Sequence, residues 1–306
     1  MDSPEAPRRE KDLASLIDTW SRENPEGRTT PRSGSPSTAG RLRRLIGAVA
    51  IASALDGLTD ELGRDRFVIK GGTAMEMRFG FAARSSLDLD ASFRGDIGVC
   101  LALASDALER GWSGFTAIVS EPMEITRATV SPKPVRVDVK VSYRGKAFIT
   151  IPLEISTAEG ESAASPERVA LAFDLSSVNL SVPPSVAFLP LRYQIAQKLH
   201  ACSERFDDRE NARVRDLADL MLLRTLCEGS AEPTRLACIE IFQLRGLHPW
   251  PPAITPEPGW VVEWENMTRD EGLTISLEQA LEEVGDLVRV IDAGGTFDLR
   301  RLGNHS

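Results

Sequence analysis

Histidine is almost missing from this chain: three occur in 306 residues, His200, His248 and His305. That scarcity argues against a metal centre built on clustered imidazoles. Cysteine is nearly as sparse, with Cys100, Cys202, Cys227 and Cys238 scattered and no Cys-x-x-Cys pair. Such spacing fits buried thiols in a reducing cytoplasm rather than a disulfide framework or a zinc site. No apolar run approaches the roughly 20 residues needed to cross a bilayer. The first residues, with Asp2, Glu5 and mixed charges, lack the apolar core of a secretory signal. A soluble, cytoplasmic protein with no membrane partner is therefore expected. Basic residues are outnumbered 36 to 45, for a formal net charge of −9. This balance counts against a protein that coats nucleic acid, although a local basic patch can still grip one RNA end.

What is present centres on Phe67-Val68-Ile69-Lys70-Gly71-Gly72-Thr73-Ala74-Met75-Glu76-Met77-Arg78-Phe79-Gly80. Phe67 to Ile69 reads as a short buried strand, Gly71-Gly72 as a tight turn and Thr73 onward as a helix. A strand–turn–helix of this kind aims unpaired backbone N–H groups and a helix dipole at one spot, which suits a phosphate. Arg84-Ser85-Ser86-Leu87-Asp88-Leu89-Asp90 follows, with Asp88 and Asp90 two apart in an alternating segment. On a strand they project from one face, where two carboxylates repel unless a cation lies between them. Mg²⁺ takes oxygen ligands of that sort. Alone, Gly-Gly is a turn and Asp-x-Asp a solvated strand face. Together and in this order they form a minimum kit for nucleotidyl transfer.

Along the rest of the chain, residues 1–40 read as a flexible N-terminal segment: a possible short helix around Leu13, Leu16, Ile17 and Trp20, then a linker rich in Pro, Gly, Ser and Thr from Asn24 to Gly40. Arg41 to Leu62 is an amphipathic helix, and Ile97 to Arg110 another. Val135 to Val141 alternates strictly, and Phe148 to Ile155 returns from a turn at Tyr143-Arg144-Gly145-Lys146. Thr157 to Leu189, with Pro166, Pro183 and Pro184, reads as an irregular crossing between domains. Helices follow at Leu191–Arg205, Val214–Leu226 and Pro233–Leu247; a proline-rich loop then ends near Trp260 and Trp264, whose rings could stack on bases or cover a core. Ser276-Leu277-Glu278-Gln279 is a capping box opening a final helix. The expected fold class is α/β (α+β): a domain with a mixed sheet at 41–185, then an α-helical C-terminal domain at 186–306.

The Lys-Gly-Gly-Thr-Ala, Arg-x-Gly and Asp-Leu-Asp wording resembles the AbiEii/AbiGii-type nucleotidyltransferase toxins, including their MenT-like branch, within the DNA polymerase β-like superfamily. The interval from Gly72 to Asp88 is longer than in many members of that superfamily and fits the toxin branch. Gln194 to His200 and Arg213 to Leu220 are similar to two downstream motifs of the same toxins. Read without the resemblance, they are two antiparallel helices with surface charges.

The resemblance implies a polymerase β-like nucleotidyltransferase fold and a toxin that transfers NMP from an NTP, often a pyrimidine nucleotide, to the 3′ end of tRNA. Alternatives are nucleotidylation of a protein target and a non-catalytic nucleotide-binding interaction protein. It implies Mg²⁺ as cofactor, on Asp88 and Asp90, with Glu154 as a candidate third carboxylate and Asp138 its rival. Lys70, Gly71, Gly72, Thr73, Arg78 and Lys198 would hold the nucleotide phosphates, and Asp216 would orient Lys198 or the acceptor. It implies a cognate antitoxin partner as well. Ser86, with Ser85 beside it, matches a site hydroxyl that such partners phosphorylate.

Overall fold

The computed structural model describes residues 5–24, 37–125, 133–271 and 273–297. It divides into two compact units, one formed by Met1–Ala158 with Ala163–Leu189, the other by Glu159–Ser162 with Pro190–Ser306.

The first unit runs α1 (Glu10–Glu23), α2 (Thr38–Leu55), β1 (Phe67–Lys70), α3 (Gly71–Phe79), β2 (Leu89–Phe93), α4 (Ile97–Arg110), β3 (Phe115–Val119), β4 (Met123–Glu124), β5 (Val135–Tyr143), β6 (Lys146–Thr157), β7 (Glu167–Val169) and β8 (Val186–Phe188). Its mixed sheet has the order β3-β5-β6-β2-β1-β8-β7, with β4 also on β5. β1 pairs antiparallel to β2 and parallel to β8, while β2 runs parallel to β6. Period-two alternation puts Leu89, Ala91, Val137, Val139, Leu153 and Ile155 into one core with α2 and α4. On α2, a Cβ at Gly47 would lie 2.7 Å from Ile149 Cγ2 and 2.9 Å from Ile151 Cδ1, so glycine there lets the helix backbone settle directly on β6. In the β5–β6 hairpin the register passes from Val141↔Ile149 to Ser142↔Ala147, which leaves Phe148 as an extra residue. The bulge turns Phe148 into the core, against the edge of Phe115.

Three boundaries differ from the sequence reading, each for a visible reason. The described part of residues 1–40 is anchored rather than loose. Leu13 and Ile17 are fully buried, each contributing roughly 1.5–3 kcal/mol, Arg43 pairs with Glu10, and the Tyr143 hydroxyl donates to Pro7 O at 2.6 Å. Most of the expected linker, 25–36, lies outside the described residues. Helix α2 stops at Leu55 instead of Leu62, because Asp60 Oδ1 takes the backbone N–H groups of Leu62 and Arg64 into a local turn. The expected crossing at 157–189 contributes β7 and β8 to the sheet, so the chain passes to the second unit after Leu189.

The second unit is helical, with α5 (Leu191–Ser203), α6 (Val214–Leu223), β9 (Gly229–Ser230), α7 (Glu232–Arg245), α8 (Pro258–Glu271), α9 (Leu277–Asp292) and β10 (Thr296–Phe297). The capping box holds: Ser276 Oγ accepts from Gln279 N, and the Gln279 side chain accepts from Ser276 N. Trp260 and Trp264 sit on helix α8, which begins at Pro258 where the proline-rich loop ends. Both are buried, and their indole N–H groups donate to Asn211 O and Ile275 O. Burial removes them as base-stacking platforms and leaves the core-covering reading. Glu159 joins this unit through Arg245, which grips both its oxygens at 2.9 Å, and through Gln197 at 2.7 Å.

Candidate active site

Lys70 ends β1, and the next residue opens α3, so strand becomes helix across a single turn. Gly71 takes φ +70°, and a Cβ there would lie 2.6 Å from Asp90 Cγ and 2.8 Å from Asp90 Cβ. A Cβ at Gly72 would lie 2.7 Å from Ser86 Oγ and 3.2 Å from Arg84 Nη2. The two glycines are thus the floor on which Asp90, Ser86 and Arg84 rest. Gly71→Ala forces a left-handed backbone on a residue with a Cβ and pushes Asp90 aside. A loss of roughly 1–3 kcal/mol of stability is expected, read as a lowered Tm in thermal unfolding.

Buried Leu89 separates Asp88 from Asp90, both of which keep partial access to solvent. Ser86 Oγ donates to Asp88 Oδ1 at 3.2 Å, and Thr73 Oγ1 donates to the Asp88 carbonyl at 2.6 Å. The Thr73 hydroxyl is therefore a fastener for the aspartate segment. Across the sheet, Lys70, Asp90, Glu154 and Arg136 form one row on four adjacent strands, β1, β2, β6 and β5. Lys70 Nζ donates to Ser156 Oγ at 2.7 Å, and Arg136 Nη1 to Glu154 Oε1 at 3.0 Å. Glu154 thus lies beside Asp90 in register but holds an arginine. Its rival Asp138 lies opposite Pro152, one step further along the hairpin. Among the described residues no three His, Cys, Asp or Glu side chains converge as a ready-made metal cage. The oxygen donors of Asp88 and Asp90 still fit Mg²⁺, which commonly binds through one or two carboxylates plus substrate phosphates.

Arg78 is placed elsewhere. It sits seven residues after Gly71, about 10 Å along the helix axis at 1.5 Å per residue. There it grips both oxygens of Glu167 at 3.1 Å and lies over the Phe188 ring. Besides Lys70, two cationic groups outside the expected set stand nearby. Arg84 stands at Gly72, within the quoted Arg-Ser-Ser stretch but not singled out. Arg44, on a helix read only for its apolar side, is partly buried near Glu76 and Asp88. Burial pulls its guanidinium below the usual value, and those two carboxylates oppose the pull. Burial likewise pushes the Glu76 carboxyl up, against Arg41, the Ser86 N–H and Arg44.

In the helical unit, Lys198 on α5 donates to Asp216 Oδ1 at 2.8 Å and to Asp219 Oδ2 at 2.6 Å, both on α6. Asp219 was overlooked, although it stands one helical turn from Asp216, where an i, i+3 pair shares a face. Lys198 and Asp219 are buried. Asp216 extends toward Arg213 at 3.7 Å. His200 is fully buried and drawn down to about 3, first by burial and then by Arg245 and His248. It is a neutral packing group edge-on to Phe242.

A family model described as the nucleotidyl transferase AbiEii toxin of a Type IV toxin–antitoxin system matches residues 53–283. Among curated proteins, none matches the chain. Among solved structures, it is similar to MenT4, a nucleotidyltransferase toxin from Mycobacterium tuberculosis H37Rv, at 16% identity and a TM-score of 0.48, over 91% of this chain and 98% of that one. It is also similar to an antigenic nucleotidyltransferase-like protein from Paracoccidioides brasiliensis, at 13% identity and a TM-score of 0.41, over 78% of this chain and 96% of that one.

Proposed function

This chain belongs to the AbiEii nucleotidyltransferase toxin family, and from that premise we propose that it transfers NMP from an NTP, a pyrimidine nucleotide, to the 3′ end of tRNA in the cytoplasm, blocking translation until a cognate antitoxin intervenes. The observation that carries the chemistry is the gathering of Asp88, Asp90, Ser86 and Arg84 around the Gly71-Gly72 turn. The 3′-hydroxyl oxygen bonds to the α-phosphorus, the bond to the β-phosphate oxygen breaks, pyrophosphate leaves and the hydroxyl proton passes to solvent. Asp88 and Asp90 would hold Mg²⁺, with Glu154 free to join once Arg136 turns to an incoming phosphate. When bound, the metal lowers the pKa of the acceptor hydroxyl and steadies charge on the leaving group. Backbone N–H groups of Gly72 and Thr73 at the start of α3 cradle the β- and γ-phosphates. Lys70, Arg84 and Lys198 neutralise their charge, and Asp216 orients Lys198.

No described helix is long and apolar enough to cross a membrane. The test is incubation of the protein with Mg²⁺, cell lysate and each of the four NTPs labelled at the α-phosphate. Label in tRNA, strongest with CTP or UTP, is the expected result. Label in protein moves the activity to a protein acceptor, and label in neither removes the reading.

Ser86 would be the regulatory site, with Ser85 as the second candidate. Its hydroxyl is buried against Asp88, so a phosphate there adds close to two negative charges beside two carboxylates. It would also compete with the NTP for Mg²⁺ and for the surrounding cations. Co-expression with the adjacent gene product should give a protein heavier by one phosphate, mapped to Ser86 or Ser85, and inactive in transfer. Neutralisation without added mass points instead to masking by a bound antitoxin.

A further inference from the structure

The segment between α3 and β2 carries Arg84, Ser86 and Asp88, yet most of it has no regular secondary structure to hold it. Side chains from two helices hold it instead. Glu76 on α3 accepts Arg41 Nε at 2.7 Å on one oxygen and the Ser86 backbone N–H at 2.9 Å on the other. Arg41 on α2 donates in turn to the Ala83 carbonyl and lies over the Phe81 ring. Glu76 and Arg41 retain only 5% and 15% side-chain exposure, so both charges carry a desolvation cost that an apolar pair of the same size would not. A buried ion pair is therefore a poor route to stability, and this one is better explained by what it grips. Its two backbone contacts bracket Arg84, one on either side. The helix that supplies Glu76 is also the helix whose first turn is Gly71-Gly72.

Resting on the nucleotidyltransferase reading above, we infer that Glu76 is a positioning residue: it ties the Arg84–Asp88 segment to the Gly-Gly helix, so that the metal-binding carboxylate and the phosphate-binding turn keep one fixed geometry. Ser86 is the relay. Its N–H is held by Glu76, and its hydroxyl is donated to Asp88 Oδ1.

Two double variants isolate the Ser86 contact. Arg41→Met/Glu76→Gln removes both buried charges but keeps an acceptor for the Ser86 N–H; Arg41→Met/Glu76→Met removes the acceptor too. Both lose the Arg41–Ala83 bond, so the difference between them belongs to Glu76 and Ser86. Amide exchange followed by mass spectrometry should show residues 83–88 exchanging about tenfold faster in the Met/Met protein than in the Met/Gln protein, with core peptides unchanged. Mn²⁺ affinity, read by electron paramagnetic resonance with a non-hydrolysable NTP present, should weaken about tenfold between them, the usual scale for loss of an outer-shell support. Turnover should fall with it, while KM for the NTP moves little. Equal exchange and equal Mn²⁺ affinity in the two variants would overturn the inference, as would faster exchange spread over the whole unit. Should the Met/Met protein not fold, Glu76→Asp, one methylene too short to reach Ser86, takes its place against wild type with the same expected differences. Wild-type protein that binds Mn²⁺ and protects 83–88 yet transfers no nucleotide would sink the proposed function and leave the clasp standing.

Discussion

Asp88→Ala is expected to lower nucleotidyl transfer by roughly a thousandfold or more and to abolish toxicity on expression. The magnitude follows from losing a metal ligand at the point where charge develops, worth about 4 kcal/mol of transition-state stabilisation. Stability should change far less. The Asp88 carboxylate is partly exposed, and its one described side-chain partner is the Ser86 hydroxyl. Removing one of two neighbouring carboxylates relieves repulsion, but it also strips the partly buried Arg44 guanidinium of a compensating charge. The two effects oppose, and a net change within about 1 kcal/mol is expected. Asp88→Asn, which keeps an acceptor for Ser86, should be as inactive and closer still to wild type in Tm. Residual toxicity, or a fall in Tm that accounts for the lost activity, would count against the metal role.

Strands and helices with a sustained period were legible from the residues alone. Val135 to Val141 alternates strictly, inside a strand that runs on to Tyr143, and the final helix carries both a capping box and an apolar stripe. What escaped was short or held by distant partners. β7 and β8 have three residues each, too few to show a period, and prolines nearby suggested a crossing. The hairpin bulge at Phe148 appears only once the pairing is known. The same distinction runs through the site. Gly71, Gly72, Asp88 and Asp90 stand out in the sequence by order and spacing, and the fold sets Asp90 against Gly71 and ties Asp88 to Ser86 beside Gly72. Arg41 and Glu76, 35 residues apart, meet only through packing of α2 on α3. The resemblance puts Arg78 among the phosphate-binding residues, whereas helical rise carries it to Glu167.

Lys198→Ala is the second large expected effect, and two separate contributions enter it. If the lysine neutralises phosphate charge that grows in the transition state, its loss should cost roughly a hundredfold in turnover with little change in KM. Lys198 is also a buried cation donating to both Asp216 and Asp219, the latter only 1% exposed. Deleting it leaves those carboxylates without their shared partner in a buried setting, where breaking an ion pair costs about 3–5 kcal/mol. An inactive Lys198→Ala protein could thus be a partly unfolded one. Asp219→Asn separates the two contributions, because it removes the deeper carboxylate and keeps the lysine bound to Asp216. Lys198→Met/Asp219→Asn then removes the cation while lowering the stranded charge. The double variant is expected to recover much of the lost Tm and none of the lost turnover, with Asp219→Asn alone retaining most activity. Recovery of turnover along with stability would show that Lys198 serves only the helical unit's own packing. A rise in KM for the NTP with turnover intact would instead place it on the ground-state nucleotide.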